Sequence, residues 1–200
     1  MITESDNTAT EICLRLAGGP AAVTRFVAQL GIDGMRVDRS TADLLRDFYG
    51  IEPGRQNLAE VVRLANSDPA RAITPKADFE ADPLDKSTPR AMLGLLAGLY
   101  QGKALSATST EFLLGVMART VTKPERLGAL LPKETNIAHK TGTIGGVVND
   151  VGYVTLPDGR RFAIVVFTRG SETPAVDRER AVAEVARTLY DYFLLQPGAG

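Results

Sequence analysis

Apolar and polar positions divide the chain into a helical first part and a strand-rich last third. Ile12 and Leu16 stand one turn apart ahead of Gly18-Gly19, which predicts a short helix and its stop. After Pro20, the residues Val23, Phe26, Val27 and Leu30 recur at i, i+3, i+4 and i+7, which predicts a core helix closed by Gly31. From Arg36 to Asp85 the periodicity breaks under Pro53, Gly54, Pro69, Pro75 and Pro83, and only Leu58, Val61, Val62 and Ala65 suggest a helix inside a long excursion. Thr88-Pro89 is a cap with proline at the first helical position, followed by the stripe Met92, Leu95, Leu96 and Leu99 and then Gly102. Thr108 and Glu111 have capping-box spacing ahead of Phe112, Leu113, Val116 and Met117.

Beyond Asn136 the period changes. Ile137 to Thr141 reads as a short strand, Val147 to Leu156 is β-branched, Pro157-Asp158-Gly159 is a turn, and Phe162 to Phe167 is an unbroken apolar strand. The pattern predicts an antiparallel three-strand meander. The unbroken last strand requires cover on both faces, and a terminal helix with Val182, Val185, Ala186, Leu189 and Phe193 supplies one cover. Residues 1–195 are expected to form one domain with an enlarged loop over 36–85, and residues 196–200 a disordered tail.

A net charge of -1 with interspersed signs leaves no basic stripe for nucleic acid and no polybasic patch for a membrane surface, so a small-molecule partner is expected. Cys13 is the only cysteine and His139 the only histidine, which rules out an internal disulfide and a Cys/His zinc cluster. No cofactor and no metal are expected. Cys13 reads as a small buried hydrophobe, and strand alternation turns His139 to the face opposite Lys140, as a structural residue. No signal peptide is visible in Met1-Ile2-Thr3-Glu4.

Candidate chemistry lies in two triplets. Lys140-Thr141-Gly142 stands where a strand meets a glycine-rich turn; alone, it is better read as an edge strand with a solvated lysine. Ser5-Asp6-Asn7 precedes a helix and equally suits a cap. Their combination, one ahead of an all-helical stretch and one on a terminal meander, resembles class A β-lactamases and penicillin-binding-type serine hydrolases. Gly18-Gly19-Pro20, Arg36-Val37-Asp38-Arg39, Asp85-Lys86-Ser87-Thr88-Pro89-Arg90-Ala91-Met92, His139 to Thr143 and Asn149-Asp150-Val151-Gly152 also resemble family segments, in the family's order.

The resemblance implies an α/β (α+β sandwich) fold, of which this chain is the carboxy-terminal part with an incomplete sheet, and β-lactam hydrolysis through an acyl-enzyme. It implies that Ser5 relays a proton to the β-lactam nitrogen beside Lys140, that Asn7 binds the acyl amide and that Thr141 bonds the substrate carboxylate. Gly142 would allow close approach, the Thr143 N–H would serve the oxyanion, and Arg39 with Asp85 would close the loop's neck. It also implies a periplasmic or secreted protein whose ligand is a β-lactam or peptidoglycan-like molecule.

Two departures change the picture. The residues three after Ser5, Ser40, Ser67, Ser87, Ser106, Ser109 and Ser171 are Thr8, Asp43, Ala70, Arg90, Ser109, Phe112 and Pro174, so no Ser-x-x-Lys supplies the nucleophile. The chain is therefore expected to begin inside a parent domain, with Met1 as an internal methionine, to be inactive alone, and to self-associate through an open sheet edge. The place of the family's deacylating glutamate holds Thr41, and Leu45 stands for its asparagine, leaving Asp43, Asp47 or Glu52 as substitutes. A non-hydrolytic ligand-binding protein, or a fragment working with an amino-terminal partner segment, remains the alternative.

Overall fold

The computed structural model describes residues 1–51, 58–122 and 124–196. Two helices open it, α1 (Asn7–Leu16) and α2 (Pro20–Gln29). The enlarged loop follows with α3 (Thr41–Tyr49), α4 (Leu58–Ser67), α5 (Pro69–Ile73) and α6 (Ala77–Ala81). Then come α7 (Pro89–Tyr100), α8 (Ala107–Met117), the strands β1 (Ile137–Ile144), β2 (Val147–Thr155) and β3 (Arg161–Val166), and α9 (Ala175–Leu195). Among the described residues no helix is long and apolar enough to cross a membrane.

The sheet is the expected antiparallel meander in the order β1-β2-β3, with Lys140 opposite Val151 and Thr141 opposite Asp150. Helices cover both of its faces. On one face α9 and the segment through Leu127 and Leu131 meet Val148, Val154, Phe162 and Ile164. On the other, Leu96 of α7 and Met117 of α8 meet Ala138, Val151 and Tyr153. Side chains alternate along a strand, so Lys140, two residues from Ala138, points to the α7–α8 side, and His139 points to the α9 side. Strands β1 and β3 each keep an unpaired edge among the described residues.

Several expectations about burial are corrected. In α2 only Val27 is buried and Phe26 is exposed; in α8 Phe112 is exposed; in α9 Val185 is exposed, and Arg178, Ala183 and Tyr190 are buried beside Val182 and Ala186. Helical periodicity identifies a stripe, but the neighbouring elements decide which part of it is covered. Cys13 is exposed, contrary to expectation, because α1 buries no residue at all and meets α3 through the polar Glu11. The cap of α8 is Ser106, whose Oγ accepts from Ser109 N at 3.2 Å, two residues ahead of the expected Thr108.

The excursion is more ordered than its prolines suggested. Ser40 caps α3 by accepting from Asp43 N at 3.1 Å, and Asp68 caps α5 through Arg71 N at 3.2 Å. Phe48, Tyr49 and Val61 form a small core of their own, against which Ile144 of β1 packs. Gly145 N donates to Ala72 O at 2.7 Å, and the buried Arg178 donates to Gly145 O and Ile73 O at 3.3 and 3.1 Å, so the loop is fastened to the β1–β2 turn. Gly145 has φ of 54° and a Cβ there would stand 3.1 Å from Phe48 Cε2, so both backbone and space require glycine. Glu52 and residues 197–200 lie outside the described residues.

Candidate active site

Asp6 and Ser5 divide the work of their triplet. Asp6 caps α1, accepting from Ala9 N at 2.5 Å, while Ser5 adopts φ of 54°, an uncommon conformation for a residue with a Cβ. That backbone turns Ser5 Oγ towards the sheet, where Lys140 Nζ donates to it at 2.7 Å. Lys140 Nζ also donates to Thr141 O at 2.6 Å. Asn7 is the first residue of α1.

Burial pulls the Lys140 ammonium below its ordinary lysine value; the Asp150 charge pushes it back up and Arg126 adds to the lowering. A pKa lowered in the folded state means that the unfolded chain keeps the proton over the interval between the two values, so stability rises with pH there. Lys140→Met is therefore expected to stabilise the protein at pH 7, with the gain shrinking as pH climbs to the ordinary value of 10.5. Urea denaturation at both pH values reads this, and an equal gain at the two would contradict it.

The opposite side of β1 carries the other groups. Thr141, which is buried, shares a hydrogen bond of 2.8 Å with Thr122 Oγ1, and Thr120 Oγ1 donates to His139 O at 2.7 Å. His139 Nδ1 lies 2.9 Å from Asp150 Oδ1, and Asp150 is fully buried. A Cβ on Gly142 would meet only Asn149 Cβ, at 3.7 Å, so sheet packing does not demand the glycine, which leaves open space beside Lys140.

One residue at this site carried no signal in the sequence. Arg126, wholly buried, donates through Nη1 to Gly142 O at 3.0 Å and Asn149 O at 2.8 Å, and through Nη2 to Thr143 Oγ1 at 2.5 Å and Glu179 Oε1 at 3.3 Å. It sets a second cation on the face of β1 that carries Thr141 and Thr143, across the strand from Lys140. Arg126 belongs to neither triplet, and its buried place becomes visible only once the segment after Thr122 lies against β1.

The neck of the enlarged loop is closed by charge. Arg39 Nε donates to Asp85 Oδ2 at 2.6 Å, and its Nη1 reaches Asp47 and Asp82 at 2.7 and 2.8 Å. Asp85 also accepts the backbone N–H of Asp38 and Arg39, at 2.7 and 3.1 Å. Burial alone would lower the Arg39 pKa, but the hydrogen bonds to Asp85 and Asp47 outweigh it and the net shift is upward. Asp43, a proposed stand-in for the glutamate, is bonded to Ser40 Oγ and paired with Arg46, and Asp47 is held by Arg39.

Residues 1–193 match the model of the beta-lactamase enzyme family. The chain is similar to the extended-spectrum β-lactamase PER-1 of Pseudomonas aeruginosa, 30% identical over 199 residues that make up 96% of this chain and 54% of that protein. Among solved structures, a β-lactamase from Chitinophaga pinensis is 32% identical with a TM-score of 0.73, covering 96% of this chain and 62% of that one. An ancestral (GNCA) class A β-lactamase is 30% identical with a TM-score of 0.75, over 96% of this chain and 62% of that one. The chain spans about half the length of the curated relatives it matches.

Proposed function

Because the chain belongs to the beta-lactamase enzyme family, we propose that these residues form the proton-relay and substrate-anchoring wall of a serine hydrolase that opens the β-lactam amide through an acyl-enzyme. The observation that carries this reading is the 2.7 Å hydrogen bond from Lys140 Nζ to Ser5 Oγ, between residues 135 positions apart. A hydroxyl held against a lysine can pass its proton to the ring nitrogen as the C–N bond breaks, and the lysine reduces the energy of the charge that develops on the oxygen. A substrate carboxylate lying along the unpaired edge of β1 meets Lys140 on one face of the strand and Arg126, Thr141 and Thr143 on the other. Asn7 holds the acyl amide, Gly142 leaves room for the ligand, and the Thr143 N–H serves the oxyanion. Arg39 and Asp85 hold the neck of the enlarged loop closed.

The attacking serine of this mechanism is not among the 200 residues, since none of their serines has a lysine three positions on. Incubated with benzylpenicillin, residues 1–200 alone are expected to form no covalent penicilloyl adduct by intact-mass measurement; a stable adduct would refute the assignment. In the gene product that contains these residues, Ser5→Ala and Lys140→Ala are each expected to lower kcat/KM for nitrocefin by about 100-fold or more. Turnover within threefold of the parent would remove both residues from the proton relay.

A second reading has one observation in its favour: Thr41 stands where the family resemblance calls for the deacylating glutamate. A protein that binds a β-lactam or peptidoglycan-like ligand without releasing product follows from that substitution. In the same nitrocefin assay it would take up ligand stoichiometrically and stop.

A further inference from the structure

Residue 41 has no carboxyl group of its own, yet a carboxylate stands against it. Glu11 lies four residues after Asn7, so the two share one face of α1. Its Oε2 accepts the backbone N–H of Thr41 at 3.1 Å and of Ala42 at 3.4 Å, at the first turn of α3. Its Oε1 has no hydrogen-bond partner among the described residues and is not among the buried unpaired atoms, so it remains open to water. Two of the acids that the loop offers as substitutes are engaged elsewhere, Asp43 with Ser40 and Arg46, and Asp47 with Arg39. Glu11 is thus a half-engaged carboxylate, oriented by two backbone donors and one turn from the residue assigned to the substrate amide.

We propose that Glu11 is the general base that activates water to release the acyl group, delivered from α1 in place of a side chain at position 41. The inference rests on the acyl-enzyme reading above. In the step it performs, Oε1 takes a proton from water as the water oxygen bonds to the carbonyl carbon of a serine ester, and the carbonyl π electrons move to the oxyanion. Collapse of that oxyanion re-forms the carbonyl and breaks the bond to the serine oxygen, which leaves with the proton that Glu11 returns. The product acid is freed, and both Glu11 and the serine end as they began. The two N–H bonds to Oε2 hold the carboxylate still during this exchange, a positioning that a free surface glutamate lacks.

The test is an intact-mass time course of the gene product that contains these residues, mixed with benzylpenicillin and then diluted. Glu11→Gln keeps an oxygen able to accept from Thr41 and Ala42 N–H but removes the base. It is expected to accumulate the penicilloyl adduct and to clear it about 100-fold more slowly than the parent. Adding Thr41→Glu to that variant is expected to restore clearance, because it returns a carboxylate to the same place. Clearance by Glu11→Gln at the parental rate overturns the assignment of Glu11 alone, as does a variant that forms no adduct and has lost its thermal transition. A parent that never forms an adduct overturns the acyl-enzyme reading and this inference with it.

Discussion

Arg126→Ala is expected to lower stability by about 3–5 kcal/mol, the range for stripping one partner from a buried charged network. The guanidinium is wholly buried and one of its nitrogens bridges the carbonyls of Gly142 on β1 and Asn149 on β2, which face each other in the register. The second terminal nitrogen reaches Thr143 and, on α9, Glu179, while the buried Nε has no partner among the described residues. Truncation withdraws the donor from two strands and a helix at once. Arg126→Lys keeps the charge but loses the planar fork, so an intermediate loss is expected. Urea denaturation followed by circular dichroism measures both variants, and a change below 1 kcal/mol for the alanine variant would show the network to be dispensable.

Gly152→Ala is expected to destabilise by about 3 kcal/mol and to displace β1 with Lys140 on it. The requirement here is space, not backbone freedom, for Gly152 has no positive φ. It faces His139 across the β1–β2 pair, and a Cβ would run into Ala138 O and lie 2.7 Å from His139 Cα. Both are backbone atoms of β1 that no rotamer change can move, so the strands must part. Lost stability together with a weakened Lys140–Ser5 contact is the expected signature, seen as a lower denaturation midpoint and lower nitrocefin turnover in the gene product. A variant with the parental midpoint would mean that β1 yields without consequence.

The two glycines that matter most show different degrees of legibility. Gly145 follows a strand and opens a two-residue turn, a pattern visible in sequence. Gly152 sits inside a β-branched run and offers no local reason for glycine; only the crossing of β1 supplies one. The helices of residues 36–85 lie between these cases. Ser40 with Asp43 is a readable cap for α3, but frequent prolines hid α3 and α5, and the small core of Phe48, Tyr49 and Val61 forms only because the loop folds on itself. Exposure was the least legible property: Cys13, Phe26 and Phe112 are apolar at helical spacing and still face outward.

What the sequence determined by itself is local. The caps of α1 and α7, the meander and the absence of Ser-x-x-Lys depend on residues within a few positions of one another, where periodicity and hydrogen-bond geometry act directly. The tertiary structure decided which groups meet across long stretches of chain. Ser5 reaches Lys140 over 135 positions, and the Glu11 carboxylate arrives at Thr41 over 30. Such contacts follow from how α1, the enlarged loop and the sheet pack together, a balance of many weak burials that no short window of residues contains.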